Sequence, residues 1–89
     1  MKINENFILK KIAGASVVIP VGDAANEIHG MITLNETAEL IWEAIAGGCG
    51  YDEILSKLKN EYNADESVLK EDLDAFLNKM KEKHILLDD

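Results

Sequence analysis

GMITLNETAELIW, residues 30–42, changes its hydrophobic period in the middle. Through Leu34 the apolar residues alternate; from Asn35 onward they recur at steps of three and four. A strand therefore hands over to a helix. Asn35 sits at the boundary, where its side-chain oxygen can accept from an unpaired helical N–H. Glu36 follows in the first turn, where the helix dipole favours an anion.

Upstream of this junction, residues 7–13 (FILKKIA) and 16–21 (SVVIPV) are short runs of β-branched and aliphatic residues with Gly14 between them. They read as two antiparallel strands. A turn over residues 22–26 leads into the third strand, EIHGMITL from Glu27. Period two places Ile28, Ile32 and Leu34 on one face and Glu27, His29, Met31 and Thr33 on the other.

Downstream, the first helix presents Ala38, Ile41, Trp42 and Ile45 and ends at Gly47-Gly48. A second carries Tyr51, Ile54, Leu55, Leu58 and Tyr62 in one stripe, with Asn63 expected to stop it in a left-handed conformation. Asp65 caps a third, whose stripe is Leu69, Leu73, Phe76, Leu77 and Met80. Residues 84–87 are expected to fold back as a strand or extended segment. The pattern predicts an α+β domain over residues 1–89: a three-stranded antiparallel β-sheet followed by three α-helices on one face.

A chain of 89 residues, 47% hydrophobic and 29% charged, suits one domain with a thin core, so its function is expected on the surface. No run approaches the ~18 apolar residues of a membrane span, and residues 1–11 hold no uninterrupted apolar signal core. A cytoplasmic location without membrane contact is expected. Cys49 is the single cysteine, so no internal disulfide forms.

Charge narrows the partners. Seventeen acids face nine bases, every base is lysine, and the net charge is −8. Phosphate backbones would be repelled, and the bidentate arginine contact to guanine is unavailable. Nucleic acid is therefore not an expected partner.

No catalytic constellation emerges. His29, His84 and Cys49 are far apart, without CxxC or HxxxH spacing, so neither metal nor cofactor is expected. Cys49 in GGCG reads as a loop thiol without a base, and that loop lacks the lysine and hydroxyl of a phosphate loop. Carboxylates such as Asp52 and Glu53, or Glu71 and Asp74, fall on solvated helix faces. The residues point to a binding domain rather than an enzyme.

LNETAELIW, the hairpin with Gly14 and VVIP, YDEIL in the second helix, and DLDAFLNKM followed by IL together resemble the PqqD-like family. That family comprises coenzyme PQQ synthesis protein D and related recognition elements for ribosomally made, modified peptides (RiPPs). The resemblance runs from about Phe7 to Leu87 and departs where the family often has glycine after the last helix and this chain has His84. It implies a winged-helix-like, non-catalytic fold. It further implies that the leader of a precursor peptide binds as an added strand on the third strand, in a groove shared with the third helix. The leader is then presented to a modifying enzyme, a radical SAM maturase in the PQQ case.

These residues suit that mechanism. Lys10 and Lys11 guard the first strand against stray pairing, whereas the third strand carries no lysine. The expected peptide-binding set is Ile28, His29, Met31, Ile32, Thr33 and Leu34 on the strand, with Val68, Asp72, Ala75 and Lys79 on the helix. Val68 and Ala75 either wall a groove or widen the core contact; Met31 is either a contact or a stray exposed methionine. The net charge predicts faster association with a basic leader, slowed by salt.

Two other classes share some features. A winged-helix DNA-binding regulator would need a basic third helix, but residues 66–83 hold five acids and four lysines. An acyl-carrier-like protein would match size and acidity, with Ser67 in DESVL as its echo, yet the opening hairpin fits that helical fold poorly. Self-pairing of the third strand into a homodimer is a further possibility.

Overall fold

The computed structural model describes residues 1–22 and 31–87. Its elements run β1 (Lys2–Ile3), β2 (Phe7–Ile12), β3 (Ala15–Pro20), β4 (Ile32–Leu34), α1 (Glu36–Ala46), α2 (Tyr51–Glu61), α3 (Glu66–Glu82) and β5 (Leu86–Leu87). The expected order of three antiparallel strands and then three helices is present as the sheet β2-β3-β4 followed by α1 to α3. Residues 23–30, which include the turn and the first half of the expected third strand, lie outside the described residues.

The β2–β3 hairpin closes through Ala13 and Gly14, both with positive φ (52° and 84°). That is the sign pattern of a two-residue I′ turn, whose twist matches the flanking strands. Ala13 thus belongs to the turn rather than the strand. The pair Ile12–Ala15 closes the loop, which sets the phase of the whole sheet. In a two-residue hairpin the closing pair exchanges both hydrogen bonds, and bonded and non-bonded pairs then alternate. Pro20 pairs with Phe7 at a non-bonded position, where its missing N–H costs β2 nothing.

The sequence did not reveal a second, two-stranded sheet that ties the chain ends together. β1 pairs antiparallel with β5, through Lys2 with Leu87 and Ile3 with Leu86. Asn4 strengthens this closure: its backbone N–H donates to Ile85 O at 2.8 Å, and its side-chain amide donates to His84 O at 2.9 Å.

Two helices end alike. After α1, Gly48 has φ 91°, and the N–H groups of Gly48 and Cys49 donate back to Ile45 and Ala44. After α3, His84 has φ 58°, and the N–H groups of His84 and Ile85 donate back to Lys81 and Met80. Both are Schellman caps, one with the usual glycine and one with histidine in the left-handed position. Burial of Ile85 against Met80, both 2% exposed or less, supplies the apolar contact that accompanies the second.

Helix α2 ends differently from the sequence expectation. Tyr62 leaves it in extended backbone (φ −120°, ψ 134°), and Asn63 is not left-handed. The half-buried Tyr62 packs on the core, which directs the chain outward without a left-handed residue. Asp65 occupies the N-cap of α3, but its side chain makes no capping bond.

The core joins one sheet face to all three helices. Phe7, Val18 and Leu34 from the sheet meet Ile41, Trp42, Ile54, Leu58, Leu73 and Leu77 from the helices. Every helix stripe read from the periodicity faces inward, although Ala38, Tyr51, Tyr62 and Phe76 are only partly buried.

Candidate functional site

β4 is an outer strand. It pairs on one side with β3, through Ser16–Leu34, Val17–Thr33 and Val18–Ile32, and no described strand covers its other edge. The hairpin's phase decides which groups face that edge. Val17 exchanges bonds with Lys10 on β2, so Ser16 and Val18 turn theirs toward β4. Ile32 and Leu34 are accordingly the bonded partners, and the N–H and C=O of Thr33 point out of the sheet.

Side chains follow the same alternation. Leu34 is buried and Ile32 half-buried against the helices; Thr33 and Met31 lie on the opposite face and are exposed, Met31 at 62%. The strand ends where the sequence placed the junction. Asn35 Oδ1 accepts from Ala38 N–H at 2.8 Å, and Asn35 O accepts from Glu39 N–H at 2.9 Å. One residue therefore closes the strand and starts α1.

Between this junction and α3 runs a groove of about 260 Å3 lined by Asn35, Thr37, Ala38, Ile41, Asp72, Ala75 and Phe76. Of the expected site residues, Asp72 and Ala75 are in its wall. Val68, 48% exposed, stands one turn before Asp72 on the same flank, and Lys79 one turn after Ala75; neither lines the groove. Ile28 and His29 lie outside the described residues. Thr37, Ala38, Ile41 and Phe76 were read only as helix or core positions. Period identifies an apolar face but not the neighbour that leaves part of it uncovered.

Other depressions are larger. One of about 540 Å3 between α1 and α2 is lined by Leu40, Glu43, Cys49, Lys57 and Glu61 among others. Another of about 630 Å3 lies beside β2, lined by Ile3, Phe7, Leu9, Trp42 and Ile45 among others. The groove beside α3 is distinguished by the free main-chain groups next to it rather than by volume.

Two contacts fix the helices that frame it. Tyr51 on α2 donates its hydroxyl proton to Asp74 Oδ1 on α3 at 2.6 Å. That bond to a carboxylate, with partial desolvation and the charges of Asp74 and Asp52, pushes the phenol up to about 12. Lys11 Nζ sits 3.1 Å from Glu39 Oε1, joining the hairpin to α1. The Ser16 hydroxyl, buried beneath α1, makes no hydrogen bond of full geometry. Its approach to the Glu39 carboxylate, together with the Lys11 ammonium, still holds that carboxyl below its ordinary value.

The groove offers hydrogen-bonding and apolar groups. Its groups are main-chain donors and acceptors, small and aromatic side chains, and the single carboxylate of Asp72. Among the described residues no three metal-ligating side chains come together, and no helix is long and apolar enough to cross a membrane.

No curated protein matches the chain in sequence. Two solved structures share its fold. One is TbiB1 in complex with the TbiA(beta) leader peptide, at a TM-score of 0.81 and 23% identity, with 100% of both chains covered. The other is lasso peptide synthetase B1 complexed with the leader peptide, at a TM-score of 0.80 and 18% identity, covering 98% of this chain and 96% of that one. The family model of coenzyme PQQ synthesis protein D matches residues 15–86, from the start of β3 to the start of β5. With β3, the strand-to-helix junction and all three helices inside that match, the chain belongs to the PqqD family.

Proposed function

We propose that the domain binds the leader of a ribosomally made precursor peptide as a fourth strand on β4 and presents it to a modifying enzyme, taking no part in the chemistry. One observation carries this reading: Thr33 offers an outward N–H and C=O beside a groove walled by Asp72, Ala75 and Phe76. Strand addition draws affinity from main-chain bonds and selectivity from pockets for alternate side chains. Family membership supports it, as do the two similar structures, each solved with a leader peptide.

The dimensions agree. From Val68 to Lys79 the helix rises about 16 Å, the length of roughly five extended residues. A leader segment of that length would run along β4, with inward side chains against Ala75 and Phe76. The wider set of Met31, Ile32, Thr33, Leu34, Val68, Asp72 and Lys79 would flank it. Tethering the leader raises the local concentration of the peptide to be modified, with no new contact at the reacting atoms.

The modifying enzyme is a radical SAM maturase on this reading, and both act in the cytoplasm. With a net charge of −8, the domain favours a leader bearing lysine or arginine, whose association slows as salt is added. Pairing of β4 with its copy would use the same edge, so leader and self-association compete.

An amide NMR titration of the labelled protein with the leader of a precursor encoded beside its gene tests the proposal. Shifts centred on residues 31–34 and 72–76 are expected. Saturating leader that moves neither segment would reject it.

A further inference from the structure

The sheet face turned away from the helices is apolar. Strand register puts Ile8, Ile12, Val17 and Ile19 on it together with Thr33, with Met31 in the same phase; Val17 is buried between its neighbours and Ile19 is half-buried, so Ile8, Ile12 and Met31 supply the exposed apolar surface. Ile8 (43%), Ile12 (42%) and Met31 (62%) are three of the five large hydrophobic residues exposed among the described ones. None belongs to the core cluster. An antiparallel sheet with one solvated face ordinarily shows polar residues there, and a contiguous apolar patch marks an interaction surface.

Its charge is as unusual as its apolarity. The chain has 17 acids, yet among the described residues this face carries none. Lys10 stands on the outer strand β2, between Ile8 and Ile12 and opposite Val17. The neighbouring Lys11 lies on the other face, where it pairs with Glu39.

We infer that this outer face docks the modifying enzyme, through an apolar patch on the enzyme that sets a carboxylate opposite Lys10. The inference rests on the leader-binding reading. Two arguments choose this occupant. A second copy seated on this face would set two chains of charge −8 against each other, and they repel. A leader strand added at Thr33, by contrast, sends every second side chain out on this same face, beside Met31. The docking surface then belongs partly to the domain and partly to the leader, and an enzyme seated on it touches both. Linkage makes the effect reciprocal: bound leader raises the enzyme's affinity, and bound enzyme raises the leader's.

The test uses the full chain, the synthetic leader, and the purified modifying enzyme encoded beside the gene. Wild type is compared with a Lys10→Glu/Ile12→Ser variant, whose two sites are exposed and whose fold is checked by its amide spectrum. Enzyme binding is read by biolayer interferometry with and without saturating leader, and leader binding by fluorescence anisotropy. Leader should strengthen enzyme binding to wild type by about fivefold or more, the lower end of measured couplings between sites. The variant should keep leader affinity within about twofold and lose enzyme affinity about tenfold, as expected when a charge and an apolar contact are removed together from an interface.

Unchanged enzyme affinity in a variant that still binds leader overturns the docking face alone. A leader that binds neither chain overturns the leader reading and the composite surface with it. Sedimentation showing a dimer that the variant dissolves gives the face to a second copy, which also overturns the inference. If the double variant loses its fold, Lys10→Glu alone carries the same comparison.

Discussion

The β2-β3-β4 sheet has two outer edges that are chemically opposite. At β2 the chain places Lys10 and Lys11, and Asn4 O already accepts the N–H of Phe7 at 3.1 Å. At β4 there is no lysine, and the main chain of Thr33 is unpaired within the sheet. An open edge invites pairing with any passing strand, so one left unguarded beside a groove is a binding feature. The difference teaches that selectivity for an added strand begins with blocking the wrong edge.

The largest expected effect removes the anchor of the open edge. Leu34 is 6% exposed and packs into the core cluster, so Leu34→Ala should cost about 2–5 kcal/mol. Thermal circular dichroism would register this as a loss of roughly 10 °C or more in Tm. A loss under a few degrees would mean that β4 is not held by that side chain.

Next comes a pair of substitutions that sets the edges against each other. Thr33→Pro deletes the outward N–H while leaving the bonds of Ile32 and Leu34 to β3 in place. Leader affinity should fall about tenfold, one main-chain bond plus the clash of the ring. Leu9→Pro makes the equivalent deletion on β2 and should leave leader affinity within about twofold, with fold integrity followed by circular dichroism. Equal losses of leader affinity from both would erase the distinction between the edges.

Asn35→Ala sharpens the comparison from the junction. Losing the 2.8 Å cap bond to Ala38 should cost about 1 kcal/mol, read as a Tm lowered by roughly 4–8 °C. Frayed first-turn amides of α1 in hydrogen exchange would locate the damage at the groove wall formed by Thr37 and Ala38.

Smallest is the pH dependence carried by Glu39. The Ser16 hydroxyl and Lys11 depress its folded-state value, so its contribution is present above the ordinary carboxylate range and is lost as pH falls through the lowered value. Denaturant melts of Glu39→Gln should therefore differ from wild type at neutral pH and converge with it in acid. A constant offset at all pH values would remove the ion pair from the account.

Sequence made much of this legible where a period was sustained. Asn35 announced the junction, Gly14 the hairpin, and the three apolar stripes fixed which faces of α1, α2 and α3 point inward. β1 and β5 were opaque because two-residue strands have no period, although the tail was expected to fold back. Asn63 misled because its tolerance of left-handed backbone is a local tendency, whereas the packing of Tyr62 decided the turn. The groove was half visible. Asp72 and Ala75 could be placed on a flank of α3, but the facing wall of Thr37, Ala38 and Ile41 depends on how α1 crosses it, which no one-dimensional pattern encodes.

Hydrogen exchange at the single amide of Thr33, with and without saturating leader, tests the central claim most directly. Free protein should exchange that amide quickly, because its N–H faces the open edge, and bound leader should slow it by tenfold or more, the equivalent of about 1.4 kcal/mol of protection. Unchanged exchange at Thr33 alongside new protection at Leu9 or Lys11 would put the added strand on β2 and contradict the account.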